Sequence, residues 1–314
     1  MLTFSGRCMA SWQVTMECNY RCTYCFDCHS HEDASPPIPV DDAVRVFRNT
    51  RRRWTVCFVG GEVLLVPGFV DACDQLIRAD IRVAIETNLS LNDPVIDFSN
   101  RVSPSGIEYF VVSLHIEERA RRHDVLGLIE RVRLLKATGF AVSTIGYVLH
   151  PRLVARWPDD RAWFAEQGIE LTPGPFVGEW QGRHYPEAYS REERLLLLAG
   201  NPLAGVVQYF ASKGMLCNAG TSFVRIDRHG NAWRCNGVRQ RIGHIRDGIE
   251  LSDSARPCPA DICPCWGWML IEQPGQLDRL TARFREGTVG GASTSDWAGH
   301  KGPLWRKLKA YVGL

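Results

Sequence analysis

Three cysteines stand close together in Cys18-Asn19-Tyr20-Arg21-Cys22-Thr23-Tyr24-Cys25. Thiolates are soft ligands that select iron–sulfur clusters or zinc. Three of them on one short loop can each ligate one iron of a four-iron, four-sulfur cube and leave the fourth iron open. An open iron can bind the amine and carboxylate of a small molecule. A three-cysteine zinc site is the competing reading of the same spacing. Cys28 follows three residues later, breaks the spacing, and reads as a neighbour rather than a ligand. A second group comprises Cys217, Cys235, Cys258, Cys263 and Cys265, and no cysteine lies between 74 and 216. Twelve cysteines clustered in this way within 314 residues favour metal over a disulfide scaffold, which belongs to much shorter secreted chains.

The elements that must carry these residues alternate. Strand-like runs fall at Trp12–Met16, Thr55–Val59, Arg82–Thr87, Tyr109–Leu114, Ala141–Val148 and Ile169–Leu171. Helix-like runs fall at Asp41–Arg51, Gly68–Ala79, Glu118–Thr138, Asp159–Gln167 and Arg191–Ala199. Alternation of this kind predicts an α/β fold with a parallel sheet and crossover helices. Six strands predict an open, partial (β/α)6 barrel over residues 1–214. The first cysteine loop then sits at the C-terminal end of a strand, where parallel α/β folds place their chemistry. After about residue 215 the pattern shortens. Phe223–Ile226, Asp227 to Asn231 and Ala232–Arg234 read as a β-hairpin around Gly230, so 215–275 is expected to be a small metal-stapled module. The stretch 276–314 is expected to be a helical tail, ending in a basic amphipathic helix over Pro303–Val312.

On these motifs the chain resembles the radical S-adenosylmethionine (SAM) superfamily, including the aromatic Tyr24 before the third cysteine. The resemblance implies that Cys18, Cys22 and Cys25 hold a [4Fe–4S] cluster whose unique iron chelates the methionine part of SAM. Reductive cleavage of SAM then gives methionine and a 5′-deoxyadenosyl radical. Phe58-Val59-Gly60-Gly61-Glu62 looks like the family's GGE motif: Gly60 and Gly61 allow close backbone approach to the ligand, and Glu62 is expected to accept from the SAM amino group. Glu86-Thr87-Asn88 ends the third strand, and Ser113 with His115 ends the fourth. By resemblance these positions contact SAM or substrate, with Asn88 and Ser113 on the cofactor side and His115 on the substrate side.

The second group, with its Gly230-to-Cys235 hairpin, Ile242-Gly243-His244-Ile245 and Cys258-to-Cys265 run, resembles the twitch module, the short form of the SPASM extension. It implies one auxiliary [4Fe–4S] cluster, held by Cys217 and Cys235 together with Cys263 and Cys265. Five cysteines for four irons leave one thiol over. Cys258 is the expected spare, with Cys265 as the alternative, and a structural zinc site is the other reading of this group. A spare thiol can return a hydrogen atom to a carbon radical, because an S–H bond is weaker than a sugar C–H bond. This favours an epimerase acting on a sugar or aminocyclitol in aminoglycoside-type biosynthesis, with Cys258 as hydrogen donor. Dehydrogenation of a hydroxyl-bearing carbon, nucleoside-sugar decarboxylation and peptide maturation are the alternatives. Few residues precede the first strand, so a small substrate is expected rather than a peptide held by an N-terminal domain. Acidic and aromatic residues suited to an amine-bearing sugar stand at Phe176, Glu179, Trp180, His184, Tyr185 and Glu187, with Trp266 and Trp268 beside the last cysteines. Among these, Glu179, Trp180 and Tyr185 are the candidate substrate residues.

Composition bounds the rest. A net charge of +2 gives no bulk field for nucleic acid or an anionic membrane, and Arg51, Arg52 and Arg53 read as a solvated helix end. No apolar run reaches the roughly 18 residues of a membrane span. A cytoplasmic enzyme is expected, reduced by a flavodoxin- or ferredoxin-type donor.

Overall fold

The structure, a computed structural model, describes residues 6–25, 36–202, 204, 210–263 and 276–287. Cys28, Cys265, Trp266, Trp268 and the Pro303–Val312 helix expected from the sequence lie outside these. The first part of the chain runs β1 (Cys8–Thr15), α1 (Val40–Asn49), β2 (Trp54–Gly60), α2 (Phe69–Arg78), β3 (Arg82–Thr87), α3 (Asn92–Arg101), β4 (Ile107–Ser113), α4 (Ile116–Arg121), α5 (Val125–Ala137), β5 (Val142–Leu149), α6 (Trp157–Glu166) and β6 (Leu171–Pro175). These strands pair in parallel and in sequence order, β1 to β6. Strands buried on both faces lose the polar alternation of a half-exposed sheet, and in β2 the five residues from Trp54 to Phe58 are all buried.

A hairpin of β7 (Gly178–Trp180) and β8 (Arg183–Tyr185) follows, then α7 (Arg191–Gly200). Ser190 and Glu193 close the start of α7 as a capping box, each side chain accepting from the other residue's backbone N–H. Short strands make up the rest: β9 (Phe210–Ala211), β10 (Leu216–Cys217), β11 (Phe223–Ile226), β12 (Asn231–Trp233), β13 (Arg241–His244), β14 (Gly248–Ile249), β15 (Arg256–Pro257) and β16 (Ile262–Cys263), before α8 (Gln276–Glu286).

The cysteine-rich part forms two small antiparallel pairs, β10 with β15 and β16 with β9, and its remaining strands join the main sheet. β11 pairs in parallel with β1, with Met9 opposite Phe223, and β12, β13 and β14 continue outward. The result is one ten-stranded sheet in the order β14-β13-β12-β11-β1-β2-β3-β4-β5-β6. The expected hairpin between β11 and β12 is present. Asp227 fastens its turn by accepting from the N–H groups of His229 and Asn231 and from the Trp233 indole. Helix α8 packs on the main core, where Phe284 is fully buried.

The core divides in two. Trp54, Val56, Phe58, Val83, Ile85 and Phe110 pack outward against the helices in the larger cluster. Met9, Cys57, Ala84, Tyr109 and Phe223 fill the inner face of the sheet in a second cluster with Cys217, Cys235, Cys263 and Leu280. Two expectations need correction. The single helix expected over Glu118–Thr138 is broken at His123, whose φ of 54° is left-handed, so that Asp124 can turn its carboxylate inward between α4 and α5. Helix α3 was not expected at all: it opens on Asn92-Asp93-Pro94, which reads as a turn, although proline is tolerated in a first helical turn. No described helix is long and apolar enough to cross a membrane.

Candidate active site

The chain leaves β1 through Met16 and Glu17 and enters the first cysteine loop. Glu17 N–H donates to Thr15 Oγ1 at 2.9 Å, and Cys25 N–H donates to Cys22 O at 3.2 Å, closing the loop on itself. The Tyr20 N–H donates to Cys18 Sγ at 3.4 Å, and Asn88 Nδ2 lies 3.8 Å from the same sulfur. Cys22 is buried and Cys25 exposed. Burial pushes the Cys22 thiol well up, and the nearby Cys25, Glu118 and Cys18 add to this. Among the described residues no three His, Cys, Asp or Glu side chains converge closely enough to hold a single ion. A cube asks for neighbouring thiolates, one per iron, with N–H donors to the sulfurs, and this loop offers them.

Gly60 and Gly61 pass directly beneath that loop. Gly61 N–H donates to Thr15 O at 3.0 Å and Glu62 N–H to Glu17 O at 2.8 Å. A Cβ on Gly60 would lie 2.1 Å from Thr15 O, and one on Gly61 would lie 2.0 Å from Glu17 O. The close approach that requires glycine is therefore to the strand exit bearing Cys18. Glu62 is fully buried. Its Oε1 accepts from Thr87 Oγ1 at 2.6 Å and Leu64 N at 3.1 Å, and its Oε2 from Asn88 N at 2.7 Å. Burial pushes this carboxyl up against the pull of those donors. A carboxylate has about four acceptor positions, so Glu62 knits the loop to the end of β3 and keeps room for one further donor.

A buried arginine network, absent from the sequence reading, supports this junction. Arg119 is fully buried; its Nε donates to Leu114 O at 2.7 Å, its Nη1 to Asp124 Oδ2 at 2.5 Å, and its Nη2 to Asn88 O. Arg131 donates to both Asp124 oxygens, at 2.5 and 2.6 Å, and to Leu89 O. The Tyr20 hydroxyl lies 3.4 Å from Asp124, and the Arg119 and Arg122 guanidiniums lie 5.6 and 5.1 Å from its ring centre. A pair of arginines sharing one acid was hidden by the expected continuous helix.

His115 follows β4 in the left-handed region, with a φ of 47°. Its Nδ1 lies 3.1 Å from the Tyr24 hydroxyl, and burial pulls its pKa down to about 4, so the ring is neutral. Tyr24 also faces His150 at 5.9 Å; His150 in turn packs on Phe176 at 4.5 Å and Trp180 at 4.8 Å. Trp180 thus reaches Tyr24 through the His150 ring, and His115 through His150 and Tyr24 in turn. Arg152 lies over Trp180 at 4.9 Å. Of the other expected substrate residues, Tyr185 reaches this ring group only through Phe176. Tyr185 is buried against Phe176 and Tyr189, and Glu179 is exposed, its side chain on the face of β7 opposite Trp180. Ser113 stands at the end of β4 level with Gly146.

In the second group Cys217, Cys235, Cys258 and Cys263 are all buried. Ala219 N–H donates to Cys217 Sγ at 3.4 Å, repeating the local geometry of Cys18. Burial, then the nearby Cys235 and Cys258, push the Cys217 thiol up to about 11. Cys258 lies outside the apolar cluster that joins Cys217, Cys235 and Cys263 to the inner face of the sheet, and its thiol meets Ser212 Oγ at 3.5 Å.

The family model for the radical SAM superfamily matches residues 12–158. No curated protein matches the chain by sequence. Among solved structures, native anSMEcpe with bound AdoMet aligns over 78% of this chain and 80% of its own at 16% identity and a TM-score of 0.56. Its complex with AdoMet and the Kp18Cys peptide gives the same coverage and identity at 0.57. SuiB of Streptococcus suis bound to S-adenosylmethionine aligns over 76% of this chain and 63% of its own at 15% identity and 0.52.

Proposed function

We propose that the chain, whose residues 12–158 match the radical SAM superfamily model, abstracts a hydrogen atom from a sugar or aminocyclitol carbon and epimerises that carbon. The observation that carries the reading is the junction at Cys18, where the three-thiol loop, Glu62 and Asn88 meet at the C-terminal ends of the parallel strands. When bound there, SAM supplies a 5′-deoxyadenosyl radical, which takes a hydrogen atom from the substrate. Cys18, Cys22 and Cys25 would hold the cluster, and Glu62, Asn88 and Ser113 would orient the SAM amino and ribose groups. Tyr24, His115 and Trp180 offer a wall of rings toward the substrate. A second cluster would sit on Cys217, Cys235, Cys263 and Cys265, and the Cys258 thiol would return a hydrogen atom to the opposite face of the carbon. The resulting thiyl is restored to a thiol by one electron, from a flavodoxin- or ferredoxin-type donor, and one proton.

Dehydrogenation of a hydroxyl-bearing carbon is the second reading. It is favoured by the position of Cys258, which faces Ser212 rather than the inner cluster. The anaerobic protein, reduced and given SAM, is expected to release 5′-deoxyadenosine; its absence removes the radical reading. In deuterated water an epimerase gives a singly deuterated isomer, whereas a ketone product selects dehydrogenation. Cys258→Ala is expected to retain its iron and lose epimerisation. A loss of half the iron instead makes Cys258 a ligand.

A further inference from the structure

Glu86 lies on the inner face of β3. Val83 and Ile85 pack outward, whereas Ala84, of the same parity as Glu86, packs inward with Met9, Cys57 and Tyr109. Glu86 is level with Val111 of β4 and two residues before Asn88, so it sits about 7 Å deeper along the strand than the cofactor end. The Cys57 thiol donates to its Oε1 at 3.9 Å, and the Tyr109 hydroxyl donates to Cys57 Sγ at 3.4 Å. These are the titratable groups of β2 and β4 that face it. Across the sheet the Arg225 guanidinium is turned to Gln13, 2.7 Å away.

The other buried acids of this end of the molecule are matched. Asp124 has two arginines, Glu118 has Arg121 and Arg122, and Glu62 has three donors. Among the described residues Glu86 forms no ion pair, and the residue as a whole is half-buried on the inner face of the sheet. Burial pushes its carboxyl up to about 7. An uncompensated carboxylate in such a place is costly, and a cation brought by a ligand removes that cost.

We propose that Glu86 receives an ammonium group of the substrate, so that the substrate is an amine-bearing small molecule whose charged end points down the barrel, away from SAM. This rests on the radical SAM reading above. Titration calorimetry of the anaerobic holoprotein with SAM would compare 2-deoxystreptamine, a cyclitol with two amines, with scyllo-inositol, the same ring without them. The diamine is expected to bind at least tenfold more tightly and to release protons at pH 6, as the carboxyl ionises against it. Glu86→Gln should abolish both the preference and the Glu86-derived proton release. Glu86→Asp, which keeps the charge, should keep the preference at lower affinity, with iron content reporting that each variant is folded. Failure of the diamine to bind, equal affinity for the two rings, or a preference that survives Glu86→Gln overturns the assignment. Release of 5′-deoxyadenosine from the wild type is scored separately: its absence sinks the enzyme reading, whereas its presence without an amine preference sinks only the role of Glu86.

Discussion

Replacing Gly61 by alanine would put a methyl carbon 2.0 Å from Glu17 O, 2.5 Å from Glu17 C and 2.9 Å from Met16 C. All three are backbone atoms, so no side chain can swing aside. A carbon needs about 3.3 Å from a carbonyl oxygen, so the strand exit must retreat by about 1.3 Å. That exit is the residue before Cys18, and it is held in place by the hydrogen bonds from Gly61 to Thr15 and from Glu62 to Glu17. A misplacement of about 1 Å in a catalytic constellation costs on the order of 100-fold in rate. Gly61→Ala is therefore expected to lower 5′-deoxyadenosine formation by about that factor and to weaken SAM binding in anaerobic equilibrium titration. Gly68→Ala is the matched control. It also fills a glycine, at φ 73°, but no atom lies within 4 Å of the new methyl. It should cost roughly 1–2 kcal/mol of backbone strain and leave SAM cleavage intact. A Gly61→Ala enzyme that cleaves SAM within threefold of the wild type would refute the claim that these glycines set the position of the cluster loop.

Three further outcomes follow from the geometry. Alanine at Cys18, Cys22 and Cys25 together should remove about half of the iron measured on the reconstituted protein, and alanine at Cys217 and Cys235 the other half; zinc in either place rejects the cluster assignment. Asp124→Asn strands two buried guanidiniums, a loss of about 3–5 kcal/mol, so the anaerobic melting temperature should drop by roughly 10 °C; a change under 2 °C would mean the network bears little of the fold. Glu86 has a folded pKa of about 7 against an ordinary 4.5, so it favours the fold most at low pH and that contribution is lost as pH rises through 7. The loss is at most about 3 kcal/mol, and Glu86→Gln should therefore gain melting temperature over the wild type between pH 5 and 8. A difference between the two proteins that is flat with pH contradicts the raised pKa.

The parallel core was legible because buried strands write themselves as apolar runs between turns. Arg82–Thr87 was placed to the residue, while β1 starts at Cys8, earlier than expected, since Cys8-Met9-Ala10 has no polar alternation to mark it. The cysteine loop and the Gly60-Gly61-Glu62 segment were legible from spacing. What could not be read was any contact that depends on register. Arg119, Asp124 and Arg131 meet Tyr20 and Asn88 only because α4 ends where it does, and one residue in the left-handed conformation decides that. Glu86 was visible at a strand end, but its want of a countercharge depends on what faces it from β2 and β4. Trp180 and Glu179 looked like one surface in the sequence, and strand alternation sends them to opposite sides.

The pairing of β1 with β11 has a practical corollary. The strand that delivers Cys18 is also the one against which the C-terminal strands are zipped, with Met9 beside Phe223. A chain cut near residue 214 would not be a smaller enzyme but a molecule with a raw, apolar edge, open to pairing with any neighbour. In the intact chain that edge is sealed by residues synthesised some two hundred positions later, a distant closure of the sort that slows folding. The pairing therefore ties the strand that leads into the first cysteine group to the hairpin that leads into Cys235.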